Sequence, residues 1–525
     1  MKNTQAWLPL MFAIVLIVGL VTGYKLRERI PAPQGFFQNS SRSAIQESID
    51  LIRMHYVDPI STDSLSDDAI QAMLTHLDPH SIFIPAKYLQ EANEDLQGNF
   101  EGIGVEFQII NDTVHVVNVL PGGPSAKAGV KTGDKFLKVG DSIVAGNHIT
   151  SERIKLLLRG EEGSTIEIDF QRGSAIQKVS VARGMIPLYS VDASYMMDSI
   201  TGYIHLNKFS GTSYEECMAA FEKLNKLGMK KLLFDLRDNG GGILGEAVDI
   251  ADEFLDQDKL IVYTQGDKQP RQEYRCKRPG QFEKGKLVML VNEGSASASE
   301  VLAGAMQDWD RATIVGRRTF GKGLVQSQYD LNGGGALRLT VARYYTPTGR
   351  SIQKSYAKGR TAYNDEVLER FHNGEVTTDT VQVAKGHAFK TNSGRVVYGG
   401  GGITPDIFVP LDSTGFKGDL SPLFANQNFG KFIYEYYIHN QAFFNKFKNA
   451  ADFSAHFVPD ENTWKTLEDY IADNDIRLSE FPAKDKNEIG KRIKAWMARQ
   501  LWGMSGYYEV SNLYDLTVQR ARQVN

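Results

Sequence analysis

Leu287-Val288-Met289-Leu290-Val291-Asn292-Glu293-Gly294-Ser295-Ala296-Ser297-Ala298-Ser299-Glu300-Val301-Leu302-Ala303-Gly304-Ala305-Met306-Gln307 is the stretch that decides how this chain is built. Leu287–Val291 is an unbroken apolar run and reads as a buried strand. A glycine–serine turn follows, and Ala298–Gln307 continues as an apolar helix. A strand that passes directly into a covering helix is one half of an α/β layer. The turn places Ser297 where the helix offers free N–H groups and a positive dipole end. Two readings compete there. Ser297-x-x-Glu300 is a capping box, the ordinary use of serine at a helix start. The same position suits a nucleophile, because those N–H groups can stabilise a developing oxyanion.

Moving toward the C-terminus, Gly321-Lys322-Gly323 lies 25 residues beyond Ser297, and Gln326 follows four residues later. Most lysines are solvated surface charges. Glycines on both sides instead suggest close backbone approach. Serine needs a base to become nucleophilic, and lysine serves only when neutral. A free lysine titrates at about 10.4, so the site must desolvate Lys322 and lower that value. An amide such as Gln326 can orient the amine without adding charge, whereas a carboxylate would raise its pKa.

Moving toward the N-terminus, Lys231–Leu236 reads as a buried strand that ends in Asp235-Leu236-Arg237-Asp238-Asn239-Gly240-Gly241-Gly242. Such a glycine loop is either a plain turn or a presenter of backbone N–H groups to an oxyanion. A phosphate loop fits less well, since no Gly-Lys-Ser/Thr follows. Gly202–Leu206 reads as another strand. Thr212–Leu227 reads as a helix with a Thr212-x-x-Glu215 capping box, and Leu244–Leu255 as a further helix. From Phe83 to Arg183 the texture changes to short strands and glycine turns. Val105–Ile109 and Val114–Val119 flank an Asn111-Asp112 turn, a short helix occupies Ser125–Gly129, and Lys135–Val139 is a strand. His80 and His205 are the rival bases, but neither has a spacing signature.

The 525 residues exceed what one core supports, and about three domains are expected. A formal charge of −4 gives no basic surplus for nucleic acid. Cys217 and Cys276 are too few for a disulfide scaffold or a zinc site. Cys217 reads as a core residue, and a Cys217–Cys276 disulfide stays open. No His/Cys/carboxylate cluster argues for a metal, and no cofactor is expected. Ala6–Gly23 is an apolar run of 18 residues, long enough to span a bilayer marginally, and it reads as an uncleaved anchor. Lys25, Arg27 and Arg29 follow it, which by the positive-inside rule argues for a cytoplasmic body. Pro31–Ser41 reads as a stalk. Two helices, around Ile45–Tyr56 and Leu65–Leu77, read as packing elements. Phe429–Phe447 and Trp464–Ile471 look helical.

Taken together, these motifs resemble the carboxyl-terminal processing peptidases, or tail-specific proteases. That family pairs a Ser-Ala-Ser-Ala-Ser-Glu segment with a lysine 25 residues on and a glutamine four further. Ser297, Lys322 and Gln326 match those positions. The resemblance extends over roughly residues 78–406. It includes Leu77-Asp78-Pro79-His80-Ser81, Tyr345-Thr346-Pro347, Gly349-Arg350-Ser351-Ile352 and Gly402-Ile403-Thr404-Pro405-Asp406. It implies an α/β, crotonase-like protease core with an inserted PDZ domain and helical terminal segments. The implied segments are residues 1–30 (anchor), 31–86 (stalk and helices), 87–184 (PDZ domain), 185–410 (peptidase core) and 411–525 (C-terminal helices). It further implies a serine endopeptidase with Ser297 as nucleophile, Lys322 as base and Gln326 beside it. Ala298 and Gly241 become the oxyanion donors, although Asn239-Gly240-Gly241-Gly242 departs from the family's Asn-Pro-Gly-Gly and leaves Gly242 in contention. Gly102-Ile103-Gly104-Val105 becomes the carboxylate-binding loop of the PDZ domain. The implied partners are proteins with exposed C-termini, the inner membrane, a second copy joined through terminal helices, and an adaptor protein. The implied compartment is the bacterial periplasm. Two alternatives are an inactive PDZ scaffold and a crotonase-like enzyme acting on acyl thioesters.

Overall fold

The computed structural model describes residues 7–29, 43–379, 386–412, 423–424, 427–471, 478 and 481–524. The expected stalk at 31–41 lies outside them. The chain divides into two units, Met1–Met73 and Leu74–Asn525. The first holds helices α1 (Leu8–Arg29) and α2 (Ala44–His55) and most of α3 (Thr62–Leu74). In α1, side chains are described for residues 11–22 and 25. Among the described residues no helix is long and apolar enough to cross a membrane. Neither α2 nor α3 matches the expectation of a packing element within this unit. No residue of α2 is buried, and the one buried residue of α3 is Leu74.

The second unit begins with β1 (Ile82–Ile84) and α4 (Ala86–Gln97). A β-rich module follows. The ribbon β2 (Asn99–Gly102) opens it. Its sheet holds β3 (Val105–Ile110), β4 (Thr113–Val119), β5 (Lys135–Val139), β6 (Ser142–Ile143), β7 (Thr165–Arg172) and β8 (Ala175–Ala182). Helices α5 (Pro124–Lys127) and α6 (Ser151–Leu158) cover it, and β9 (Gly184–Pro187) closes the ribbon against β2. Asn111 and Asp112 both have positive φ, as a two-residue hairpin turn between β3 and β4 requires. The main strand order is β3-β4-β5-β7-β8, so β3 lies at an edge.

The central sheet joins β10 (Val191–Met196), β11 (Thr201–Leu206), β12 (Lys231–Asp235), β15 (Lys286–Val291), β16 (Ala312–Gly316) and β21 (Ile407–Phe408) in that order. All its pairings beyond β10–β11 are parallel. Helices α7 (Ser213–Lys226), α8 (Leu244–Asp252) and α9 (Ala298–Asp308) pack on one face through Leu224, Ile250 and Leu302 against Leu232, Phe234 and Met289. The other face, with Tyr203, Leu233 and Leu290, meets Val518 and Ala521. A second sheet contains β1, β13 (Leu260–Gln265), β14 (Gln272–Arg275), β17 (Leu324–Asp330) and β18 (Ala336–Tyr345). Beyond it lie α10 (Arg360–His372) and the short pair β19 (Ala388–Lys390) and β20 (Val396–Tyr398). This is the mixed α/β architecture expected from the strand–turn–helix alternation.

The C-terminal helices are α11 (Gln427–His439), α12 (Gln441–Phe444), α13 (Ala450–His456), α14 (Glu461–Ile471), α15 (Ala483–Ser511) and α16 (Leu516–Arg522). They enclose their own core around Phe432, Phe444, Phe453, Leu467 and Ile493. The expected Phe429–Phe447 helix is interrupted at Asn440. Helix α15 kinks at Trp502 and Gly503, the latter with φ 66° and ψ −158°. Before the kink, Gln500 Nε2 donates to the Val117 carbonyl of β4 at 2.7 Å. After it, Tyr508 stacks on His205 of β11 with centroids 4.2 Å apart.

One local expectation is corrected, and one question left open is answered. Thr212 makes no capping box with Glu215; its hydroxyl donates to Glu216 at 2.7 Å. Glu216 is drawn there because its other oxygen accepts the N–H groups of Ser190 and Val191. Cys217 and Cys276 are both free buried thiols rather than a disulfide.

Candidate active site

The strand ends of β12 and β15 are neighbours in a parallel sheet, so their C-terminal loops meet at one edge, where α/β proteins place their sites. Three serines share the turn after β15, and two are used by the scaffold. Ser295 Oγ donates to the Leu236 carbonyl at 2.7 Å, and Ser299 Oγ to the Asn239 carbonyl at 2.9 Å. Asn292 ties the two loops further, accepting the Asp238 N–H at 2.8 Å and donating to the Asp238 carboxylate at 2.9 Å. Ser297 stands apart. Its backbone has φ 56° and ψ −112°, a conformation that non-glycine residues adopt only when the surroundings impose it. Burial pushes the neighbouring Tyr344 phenol up to about 12, with the Ser297 side chain pulling the other way.

The Lys322 turn is as close-packed as its glycines suggested. A Cβ at Gly323 would come within 2.9 Å of the Gln353 nitrogen, and one at Gly321 within 3.1 Å of the Lys354 Cβ. Lys322 Nζ donates to Gln326 Oε1 at 3.0 Å. Gln326 Nε2 donates to the His80 carbonyl, which fixes the amide with its oxygen toward the lysine. The Asp78 carboxylate builds the turn that presents this carbonyl. It accepts the N–H groups of His80 (2.9 Å) and Ser81 (3.1 Å) and the Ser81 hydroxyl (2.6 Å). Burial lowers the Lys322 pKa, against the opposing pull of Asp78 and Glu300.

A second buried lysine makes the contrast. Lys354 is also lowered by burial, but its amine is paired with the Glu366 carboxylate at 2.9 Å. A lysine facing a carboxylate is held charged, and one facing a neutral amide is free to lose its proton. The rival histidines are occupied elsewhere. His80 Nε2 lies 2.8 Å from the Tyr363 hydroxyl, and burial, aided by Lys322, pulls its pKa down to about 4. His205 Nε2 lies 3.0 Å from the Tyr508 hydroxyl, and its Nδ1 is 3.3 Å from Asp192.

The two expected oxyanion donors, Gly241 and Ala298, lie beside the serine in different states. Gly241 has φ 97°, and a Cβ there would sit 2.8 Å from the Ser297 Cβ and 2.9 Å from the Ala298 nitrogen, so this glycine is the one pressed against the serine. Gly242 packs instead on Phe209, where a Cβ would reach 2.1 Å from the carbonyl oxygen. Yet the Gly241 N–H is not free, because the Asn239 side chain folds back and accepts it at 2.9 Å. Ala298 is the first residue of α9, where a helix N–H has no partner inside the helix. No hydrogen bond joins the Ser297 hydroxyl to the Lys322 amine among the described residues.

Gly241 thus touches Ser297 and Ala298, Lys322 pairs with Gln326, and the two groups are joined through Glu300, which accepts the N–H of both Ser297 and Lys322, while Gly102, Ile103, Gly104 and Val105 lie apart in the β-rich module. There Ile103 is buried with its carbonyl on Ser125 N–H, and Gly104 turns the chain at φ 72° into the edge strand β3. A loop that opens onto an unpaired strand edge is the geometry for adding an extended peptide. Sequence reasoning missed Asn239, Thr319, Tyr344 and the role of Asp78. The Asp78-Pro79-His80-Ser81 segment was counted among the motifs of the resemblance without a role for its carboxylate.

Three family descriptions match the chain. Peptidase family S41 covers residues 200–360, the PDZ domain 102–182, and a family of unknown function 420–503. A carboxy-terminal-processing protease of Bartonella bacilliformis is 36% identical over 309 residues, 58% of this chain and 70% of the relative. A probable CtpA-like serine protease of Staphylococcus haemolyticus is 35% identical over 290 residues, 55% of this chain. Only 58% of that relative's own length is covered. Among solved structures, a photosystem II D1 C-terminal processing protease is 26% identical, covering 73% of this chain and 89% of its own, with a TM-score of 0.36.

Proposed function

This chain belongs to the carboxy-terminal-processing proteases of peptidase family S41, and on that premise we propose that it is a serine endopeptidase acting through Ser297 and Lys322. The observation that carries this reading is the half-buried Lys322 amine, held by the neutral Gln326 amide rather than by a carboxylate. A neutral Lys322 takes the Ser297 proton as Oγ attacks the peptide carbonyl. The oxyanion is held by the Ala298 N–H and by the Gly241 N–H once Asn239 releases it. The Lys322 ammonium then protonates the leaving amine. Water, activated by the same lysine, frees the acyl group from Ser297. For Ser297 and Lys322 to meet, the site must tighten on substrate, a common property of catalytic hydrogen bonds.

In the same reading the PDZ domain captures an exposed protein C-terminus. Its carboxylate sits on the Gly102–Val105 loop, and its chain adds to the β3 edge. In this reading the apolar run Ala6–Gly23 holds the protein at the inner membrane, with its body in the cell envelope. This rests on the apolar sequence of α1 and the exposure of Phe12, Val15, Leu16 and Leu20.

Turnover of an unfolded protein substrate is the test. Ser297→Ala and Lys322→Ala should each lower kcat by at least about 10³-fold while leaving binding of a C-terminal peptide intact. Undiminished turnover in either variant rejects the pair. Alkaline extraction should leave the full chain in the membrane fraction; release into the supernatant rejects the anchor.

A further inference from the structure

The mechanism above leaves one buried charge unused. Glu300 is fully buried, and its carboxylate receives four hydrogen bonds from two loops. Oε2 accepts the N–H of Ser297 at 3.0 Å and that of Lys322 at 2.8 Å. Oε1 accepts the N–H of Gly321 at 2.8 Å and the Thr319 hydroxyl at 2.5 Å. The Thr319 oxygen in turn accepts the Ile403 N–H at 2.6 Å, so its own proton points to Glu300. Three of the four neighbours are backbone N–H groups that can only donate, and the Thr319 hydroxyl gives its proton to this carboxylate while accepting from Ile403, so the hydrogen bonds favour the anion. Burial holds this carboxyl above its ordinary value, and the same four donors offset only part of that rise. An anion so enclosed is costly to remove and rigid in position.

We propose that Glu300 is the positioning residue that sets the nucleophile against the base, by clipping the backbone of Ser297 and the backbone of Lys322 to a single carboxylate oxygen. A capping box ordinarily serves only its own helix. Here the acidic member of the box reaches across to the turn between β16 and β17, so the helix start and the lysine turn cannot shift independently. The clip works on the backbones, and both side chains keep their freedom to meet over a substrate. The anion also raises the Lys322 amine's affinity for its proton, which ties the clip to the pH range of the reaction. The proposal rests on the peptidase reading.

The experiment compares the full chain with Glu300→Gln, Thr319→Val and Thr319→Ser. It measures kcat and KM on a fluorogenic peptide across pH, with C-terminal peptide binding as the folding control. Glutamine must turn its NH2 group toward two of the four donors. Glu300→Gln should therefore lower kcat about 100-fold with KM within about threefold, the scale of a 1 Å misplacement. Its acid limb should also move to lower pH, because the anion that held Lys322's proton is gone. Unchanged kcat overturns the proposal, as does a fall in kcat with the limb unmoved. If Glu300→Gln does not fold, the threonine pair decides. Thr319→Val should lower kcat about tenfold and Thr319→Ser should restore it. A valine variant as fast as wild type, or a serine variant as slow as the valine one, overturns the proposal. A wild-type chain with no Ser297-dependent turnover overturns the peptidase reading and the inference with it.

Discussion

The catalytic sheet and the PDZ sheet solve opposite problems. Strands β11 and β12 bury every residue, with helices on one face and Tyr508, Val518 and Ala521 on the other. Strands β7 and β8 bury about one face and leave the other in water. Parallel strands covered on both sides have little freedom, and the loops after β12 and β15 are tied to each other by hydrogen bonds through Ser295, Ser299 and Asn292. The antiparallel sheet keeps an open edge at β3, which is what a module that accepts extended peptides needs. The catalytic half holds geometry and the PDZ half leaves a vacancy for another strand.

The comparison can be broken most strongly in the catalytic sheet. Phe234 is fully buried among Phe221 and Phe254, and Phe234→Ala should cost about 3–5 kcal/mol and remove turnover, as read by denaturant unfolding and activity together. In the PDZ sheet, Phe170 pairs with Phe136 at 4.6 Å. Phe170→Ala should cost about 3 kcal/mol, abolishing peptide binding while a serine-directed label still reacts with Ser297. Loss of labelling there would mean the two sheets unfold as one. A smaller effect is expected at the base. Activity rises with pH as Lys322 loses its proton, and burial lowers that pKa, so the acid limb of kcat/KM should lie below the ordinary lysine value of 10.5. Gln326→Glu puts a carboxylate on the amine and should move the limb upward, slowing the neutral-pH reaction by about tenfold. The smallest effect belongs to the exposed Arg499–Glu106 pair that links α15 to β3. Arg499→Ala should change stability by less than about 1 kcal/mol by the same denaturant measurement.

How much of this was legible follows the same division. The strand at 286–291 and the helix after it were read almost to their ends, because buried parallel strands are plain apolar runs. The β3–β4 hairpin was legible from Asn111-Asp112, a pair that favours the required backbone. Helices α4 and α10 escaped: α4 is amphipathic but buries no residue, and α10 carries no strong apolar stripe. In α10 the buried residues are Tyr363 and Arg370. Arg370 donates to the carbonyls of Arg318, Thr319 and Phe320, just ahead of Lys322. A pattern that counts arginine as solvent-facing cannot find such an anchor. The three catalytic candidates and the glycine beside them were readable as motifs. The Asn239 side chain on the Gly241 N–H was not, because an amide in a turn can point several ways and only the folded loop selects one.

The bend in α15 has a consequence of its own. Gly503 occupies a region of backbone space open essentially to glycine alone, and nothing lies within 4 Å of where its Cβ would stand. Steric room is therefore not what keeps a larger residue out; torsion is. One arm of this elbow rests on β4 of the β-rich sheet and the other on β11 of the central sheet, so the helix that touches both turns between them at a residue with no side chain.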